Sequence, residues 1–228
     1  MAEIVLVHGA WGDGSVWLDV ISALHRQGHR VRAAHLPMTT LADDIAEVRR
    51  EIAGFDGPVV LAGHSYGGIV ISGAAKDNPQ VTALAYIAAY VPGEGETIPS
   101  LNAQFPDSPG NGAMVFHEDG WSSVDPNLFH DAFAADVPPE RAAALAAVQR
   151  RTHASCFVTP PSGPGAWQDL PTAYAVSTED RILHPDLQRW LADRAGAECV
   201  ELTASHYPLF SQPEAVAGVI DKIAARGE

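Results

Sequence analysis

The stretch that decides the fold runs Val59-Val60-Leu61-Ala62-Gly63-His64-Ser65-Tyr66-Gly67-Gly68. Apolar residues lead into a glycine-flanked turn, and Gly68–Lys76 continues with helical spacing. An apolar run without alternation suits a parallel strand covered on both faces. Gly63-x-Ser65-x-Gly67 between a strand and a helix sets a serine on a sharp turn. Such a turn strains the serine torsions, and the close approach of neighbouring backbone leaves no room for side chains at Gly63 and Gly67. The hydroxyl is lifted above the sheet at a helix N-terminus, where amide dipoles favour negative charge. On these residues alone, the competing reading is a glycine-rich turn with an idle serine.

Outward from this turn, short apolar runs recur at Ile4–Val7, Val31–Ala34, Val81–Ala89, Ala173–Val176 and Cys199–Leu202. Between them, Val16–Gln27, Leu41–Ala53, Pro185–Ala195 and Pro213–Ala225 have helical periodicity, and Gly28 marks a helix stop. Alternating strands and helices predict an α/β fold: about six parallel strands, right-handed crossovers and helices on both faces. The 228 residues suit one domain, 1–228.

The interval from Pro92 to Pro171 breaks the rhythm and contains no convincing strand. Asp125 and Pro126 open one expected helix, with Leu128, Phe129, Ala132 and Phe133 as its apolar stripe. Pro138 and Pro139 open a second, Glu140–Arg151. The expectation is a small, mainly helical lid over residues 94–168, inserted in the domain.

Three strand ends carry chemistry. Ser65 follows the third strand. Asp180, in Ser177-Thr178-Glu179-Asp180, follows the fifth, and His206, in Ser205-His206-Tyr207-Pro208, follows the last. A serine hydroxyl is a poor nucleophile until a base takes its proton. His206 is the expected base, and Asp180 the acid that fixes its tautomer. Glu179 is the rival acid, but an extended segment turns it the other way. His8-Gly9-Ala10-Trp11 follows the first strand and can offer a backbone N–H to an oxyanion. The expected donors are Ala10 and Tyr66. His8 is read as a brace for that loop. Trp11, Phe129, Phe133 and Tyr207 are the expected substrate-binding residues, and the lid aromatics predict an apolar pocket roofing Ser65.

The chain resembles the α/β-hydrolase superfamily along nearly its whole length. It is most similar to the compact, cofactor-free branch of plant methylesterases, hydroxynitrile lyases and small bacterial esterase-like hydrolases. The residues that carry the likeness are Val5–Trp11, Leu41-Ala42-Asp43-Asp44, Gly63–Gly68, Thr178–Pro185 and Ser205–Pro213. The resemblance implies the α/β-hydrolase fold, the same Ser65, Asp180 and His206, and the same two oxyanion amides. It departs at Tyr207, where the lyases of this branch carry a lysine. The leading expectation is acyl-enzyme hydrolysis of a small, largely apolar ester. The alternative is a biosynthetic cyclase, acyltransferase or C–C lyase on the same fold.

Composition narrows the partners to a small molecule. Lys and Arg number 14 against 28 Asp and Glu, a net charge of −14. That opposes binding to nucleic acid or to an anionic membrane. No HExxH, Cys/His spacing or nucleotide loop is present, so neither metal nor cofactor is expected. The two cysteines make no disulfide framework, and Cys199 is read as a small core residue. No signal-like segment precedes the first strand, which points to a cytoplasmic protein.

Overall fold

A computed structural model describes residues 1–227. The chain opens with β1 (Glu3–Val7), α1 (Leu18–Arg26), β2 (Arg30–Ala33), α2 (Leu41–Ala53), β3 (Val59–His64), α3 (Gly67–Ala75) and β4 (Val81–Ile87). A long insertion follows, holding α4 (Ile98–Asn102), β5 (Met114–Phe116), β6 (Trp121–Val124), α5 (Phe129–Phe133), α6 (Pro139–Val148), β7 (Thr152–His153) and α7 (Ser155–Val158). The chain then completes the sheet through β8 (Thr172–Ser177), α8 (Pro185–Arg194) and β9 (Glu198–Leu202), and closes with α9 (Pro208–Ser211) and α10 (Pro213–Ala224).

Six strands form one parallel sheet in the order β2-β1-β3-β4-β8-β9. The chain steps one way from β1 to β2, then reverses past β1 to β3. Right-handed crossovers therefore place α1 on one face and α2 and α3 on the other. In agreement, α1 packs on α10, and α2 packs on α3. Amphipathicity explains α2: Leu41, Val48 and Ile52 face the core, and the Thr40 side chain caps it by accepting from the Asp43 N–H. β3, at the centre, is buried at every position. The reversal lies between β1 and β3, and a ligand crevice forms outside the carboxyl ends of strands at such a point.

The insertion is mainly helical, as expected, but it also holds strands where the sequence showed none. β5, β6 and β7 form a three-stranded antiparallel sheet. Strands of two to four residues are too short to show a period, and Asp119-Gly120 is the one turn signal between them. Gly120 adopts φ +83°, and Asp119 Oδ1 accepts from the Trp121 N–H. Asp125 does not cap α5. It closes a turn before the helix, accepting from the Asn127 and Leu128 N–H groups. α6 stops at Val148, because Gln149 turns away to bond the backbone of Val124. Cys199 is exposed rather than in the core, since β9 is the edge strand and its middle residues lack a covering layer.

The turn after β3 is held by backbone at contact distance. A Cβ on Gly67 would lie 2.5 Å from the Val7 carbonyl oxygen, and one on Gly63 would lie 2.6 Å from that of Gly67. Gly67→Ala is expected to cost about 1–3 kcal/mol of stability, as overpacking does. Gly112→Ala, whose Cβ meets nothing within 4 Å, is expected to stay within about 0.5 kcal/mol. Urea denaturation of the two variants checks the ranking.

Candidate active site

Ser65 sits between β3 and α3 with φ +53°, a left-handed conformation unfavourable for a residue with a side chain. Its surroundings hold it there. The Ser65 N–H donates to the carbonyls of Ile87 and Ala88, and its own carbonyl accepts from Gly68 and Tyr90. The glycine at position 9 is equally constrained, because a Cβ there would meet Ser65 Cβ at 2.8 Å.

His206, on the loop between β9 and α9, lies 3.0 Å from Ser65 Oγ through Nε2 and 2.7 Å from Asp180 Oδ2 through Nδ1. Asp180 is buried behind it. Its Oδ1 accepts from the Ile182 and Leu183 N–H groups at 2.8 and 2.9 Å, and its Oδ2 also accepts from Gln188 Nε2 at 2.8 Å. Four hydrogen-bond donors hold the carboxylate in one orientation. Glu179 is exposed and takes no part.

His8 braces the first loop, accepting from the Leu36 N–H at Nε2 and donating to Gly9 O from Nδ1. Burial pushes its imidazole down to about 4, so it stays neutral. Ala10 and Tyr66 border the same cavity as Ser65. Neither N–H donates to another group among the described residues, which leaves both available. Trp11, at φ +60°, is bolted to the insertion: its N–H donates to Thr152 Oγ1, its indole N–H to Ser122 Oγ, and its carbonyl accepts from Arg150.

The cavity over Ser65 has a volume of about 230 Å³. Its walls include Trp11, Ile98, Met114, Phe116, Phe157 and Ile182, so they are mostly apolar. Phe129, Phe133 and Tyr207, expected at the substrate, lie elsewhere. Phe129 stacks on Phe133, Phe133 meets the His206 ring edge-on at 5.6 Å, and Tyr207 packs against Phe129, Phe210 and His64. They form a wall behind His206, because α5 turns its apolar stripe toward the loop before α9 and away from Ser65. Among the other insertion aromatics, Phe105 packs on Trp190, and the Trp167 indole donates to the Pro92 carbonyl.

Several residues at the site were assigned no role from the sequence. Gln188, on α8, spans the Ser177 N–H, the Leu183 carbonyl and Asp180. His64 donates from Nε2 to the His206 carbonyl at 2.7 Å, fixing His206 from its backbone side. Burial, with His206 as a close second charge, holds the His64 imidazole well below its usual range, so it stays neutral. Asp44, wholly buried, accepts from the Met38 N–H at 2.8 Å and from Tyr66 Oη at 2.7 Å. The Cys156 thiol of α7 also points to it at 3.8 Å. One carboxyl group thus ties the Tyr66 side chain to α2 and to the insertion. Among the described residues, no cluster of His, Cys, Asp and Glu is arranged to hold a metal, and no helix is long and apolar enough to cross a membrane.

A family model for the alpha/beta hydrolase family matches residues 4–219. The chain belongs to the α/β-hydrolase family. Among its relatives, the carbendazim hydrolyzing esterase of Nocardioides sp. is 38% identical over 127 residues, spanning 46% of this chain and 52% of the esterase. The pyrethroid hydrolase of Sphingobium wenxiniae is 26% identical over 244 residues, covering 96% of this hydrolase and 86% of that one. Methylesterase 2 of Arabidopsis thaliana is 24% identical, over 93% and 92% of the two chains. In three dimensions, a pyrethroid hydrolase from Sphingobium faniae matches with a TM-score of 0.84 at 25% identity, covering 98% of this hydrolase and 97% of its own chain.

Burial raises the Asp44 carboxyl above its usual value, while the bonds from Tyr66 and Met38 oppose the shift. The folded state therefore binds this proton more tightly than the unfolded chain. The sign follows: this group's contribution to stability is greatest at acid pH and falls as pH rises through the folded value. Asp44→Asn lacks this titration. Wild-type stability relative to Asp44→Asn should decline from mildly acid pH upward, read as the difference between urea unfolding free energies across a pH series. A difference that rises with pH contradicts the direction of the shift.

Proposed function

We propose that this hydrolase cleaves a small, uncharged, largely apolar carboxylic ester through an acyl-enzyme. The observation that carries the reading is the hydrogen-bonded line Ser65 Oγ–His206 Nε2, His206 Nδ1–Asp180 Oδ2, opening on an apolar cavity. The ester-cleaving activities of the carbendazim esterase and pyrethroid hydrolase relatives point the same way.

In this reading Ser65 Oγ attacks the ester carbonyl as its proton passes to His206 Nε2. Asp180 keeps the other ring nitrogen protonated and offsets the imidazolium charge. The oxyanion takes the free N–H groups of Ala10 and Tyr66. His206 returns the proton to the departing alkoxide, then draws one from water, and the resulting attack frees the acid. Residues 94–168 serve as the lid: Met114, Phe116 and Phe157 come from the insertion and roof the serine. Among the described residues no Lys, Arg, Asp or Glu lines the cavity, which favours neutral substrates. Tyr207 is buried among aromatic rings, so the place next to His206 holds no cation of the kind a cyanide-releasing lyase uses.

Ser65→Ala is expected to abolish fluorophosphonate labelling and to lower ester turnover by several orders of magnitude, with the fold intact by circular dichroism. Retention of turnover within about tenfold removes the serine from its role. Asp180→Asn should reduce kcat far more than Glu179→Gln; the opposite ranking moves the acid to Glu179.

Phe157 packs on Trp11 and Tyr66 at the roof of the cavity. Phe157→Ala should change kcat/KM for p-nitrophenyl butyrate relative to the acetate by about 10-fold, the scale on which a hydrophobic pocket discriminates. An unchanged ratio places substrate choice elsewhere.

A further inference from the structure

The cavity wall is apolar except on one side, where Tyr90, Asn102 and Asn111 stand together. Asn102 ends α4, and its Oδ1 accepts from Tyr90 Oη at 3.0 Å. Burial raises the Tyr90 phenol, so it remains a protonated donor. This bond fixes the Asn102 amide and leaves its Nδ2 with no protein acceptor among the described residues.

Asn111 is less satisfied. Its Oδ1 is buried and has no hydrogen-bond partner, and of the buried orphan side-chain atoms among the described residues it alone belongs to a residue lining the cavity. The residue is not free to turn away. The Gly110 N–H donates to the Arg181 carbonyl at 2.7 Å, the Asn111 N–H donates to Ser108 O, and a Cβ on Gly110 would meet Arg181 O at 2.6 Å. The turn bearing Asn111 is therefore clamped to the residue that follows Asp180. The two asparagines also border a small outer cleft with Ser108 and His184, so they form a partition rather than an open surface.

A buried polar atom without a partner costs about 1–3 kcal/mol. In a wall otherwise apolar, a ligand that bonds to it recovers that cost, and an isostere that cannot is rejected. A carboxylate does not suit it: no cation lines the cavity, and the charge of Asp180 is felt as close as Tyr90.

We propose that Asn111, with Asn102 beside it, is a specificity subsite for a neutral group that donates a hydrogen bond to the Asn111 carboxamide oxygen. The substrate class is then an ester whose acyl part carries an N–H or O–H, as an N-aryl carbamate ester does. This rests on the esterase reading for the identity of the scissile bond, but not for the binding of the polar group.

The test separates the two by measuring binding without turnover. Calorimetry on the Ser65→Ala protein compares methyl N-phenylcarbamate with its N-methyl analogue, which lacks the donor. The N–H compound is expected to bind at least about tenfold more tightly, and adding Asn111→Leu should bring the ratio close to one. Asn102→Leu should reduce the ratio less. A ratio near one in the Ser65→Ala protein overturns the proposal, and so does a ratio that survives Asn111→Leu. The same pair is then given to the unmutated enzyme, with p-nitrophenyl acetate as a reference ester. Failure to turn over any ester, with the binding preference intact, counts against the esterase reading and leaves the subsite standing.

Discussion

Everything at this site depends on Ser65 being held at positive φ between β3 and α3. A residue with a side chain resists that conformation by about 1–3 kcal/mol, so the surroundings must enforce it. They do so through four backbone hydrogen bonds to Ser65 and through glycines that let Val7, Gly67 and Tyr90 come into backbone contact. A Cβ on Gly68 would lie 2.2 Å from the Tyr90 carbonyl oxygen. The turn therefore fixes the distance between the ends of β1, β3 and β4 as well as the direction of the hydroxyl. A sheet with a looser turn would leave Ser65 Oγ and the Ala10 and Tyr66 amides without a common focus.

Around this turn, buried charge is handled by saturating it with donors. Asp180 has two backbone N–H groups, Gln188 and His206. Asp44 has Met38, Tyr66 and the Cys156 thiol. Asp180 faces an imidazole that can take up positive charge. Asp44 faces only neutral groups, so burial prevails and its carboxyl rises. The same burial pushes the nearby Cys156 thiol up to about 12, which makes it a packing group and a donor rather than a nucleophile.

The insertion is coupled to the turn by polar bonds as well as by contact. Trp11 gives its N–H to Thr152 and its indole N–H to Ser122, and it takes an N–H from Arg150. Ser205, next to His206, donates to the Phe133 carbonyl and to Asp136. Loops from β1 and β9 are thus pinned to the segment that roofs the cavity. A shift of the insertion would be felt at the loop of Trp11 and at His206 together, because packed interiors transmit displacement rather than absorb it.

The sequence by itself determined the four central strands, since a strand buried on both faces reads as a nearly unbroken apolar run, and the alternation with helices marked β2 and β9 at the edges. It also determined where Ser65, Asp180 and His206 fall along the chain, because side chains at carboxyl ends of parallel strands share one edge of the sheet. Only the tertiary structure decided what fills the space above them. Phe129 and Phe133 read as pocket residues from their apolar spacing, yet α5 turns them behind His206, where Tyr207 packs against them. The β5–β6–β7 sheet was hidden because its strands are shorter than any period that betrays a strand. Gln188, Asp44 and Asn111 lie 8, 22 and 71 residues from Asp180, Tyr66 and Ile182, the neighbours that give them meaning. Contacts of that kind follow from how elements pack in three dimensions, and nothing in local propensity records them.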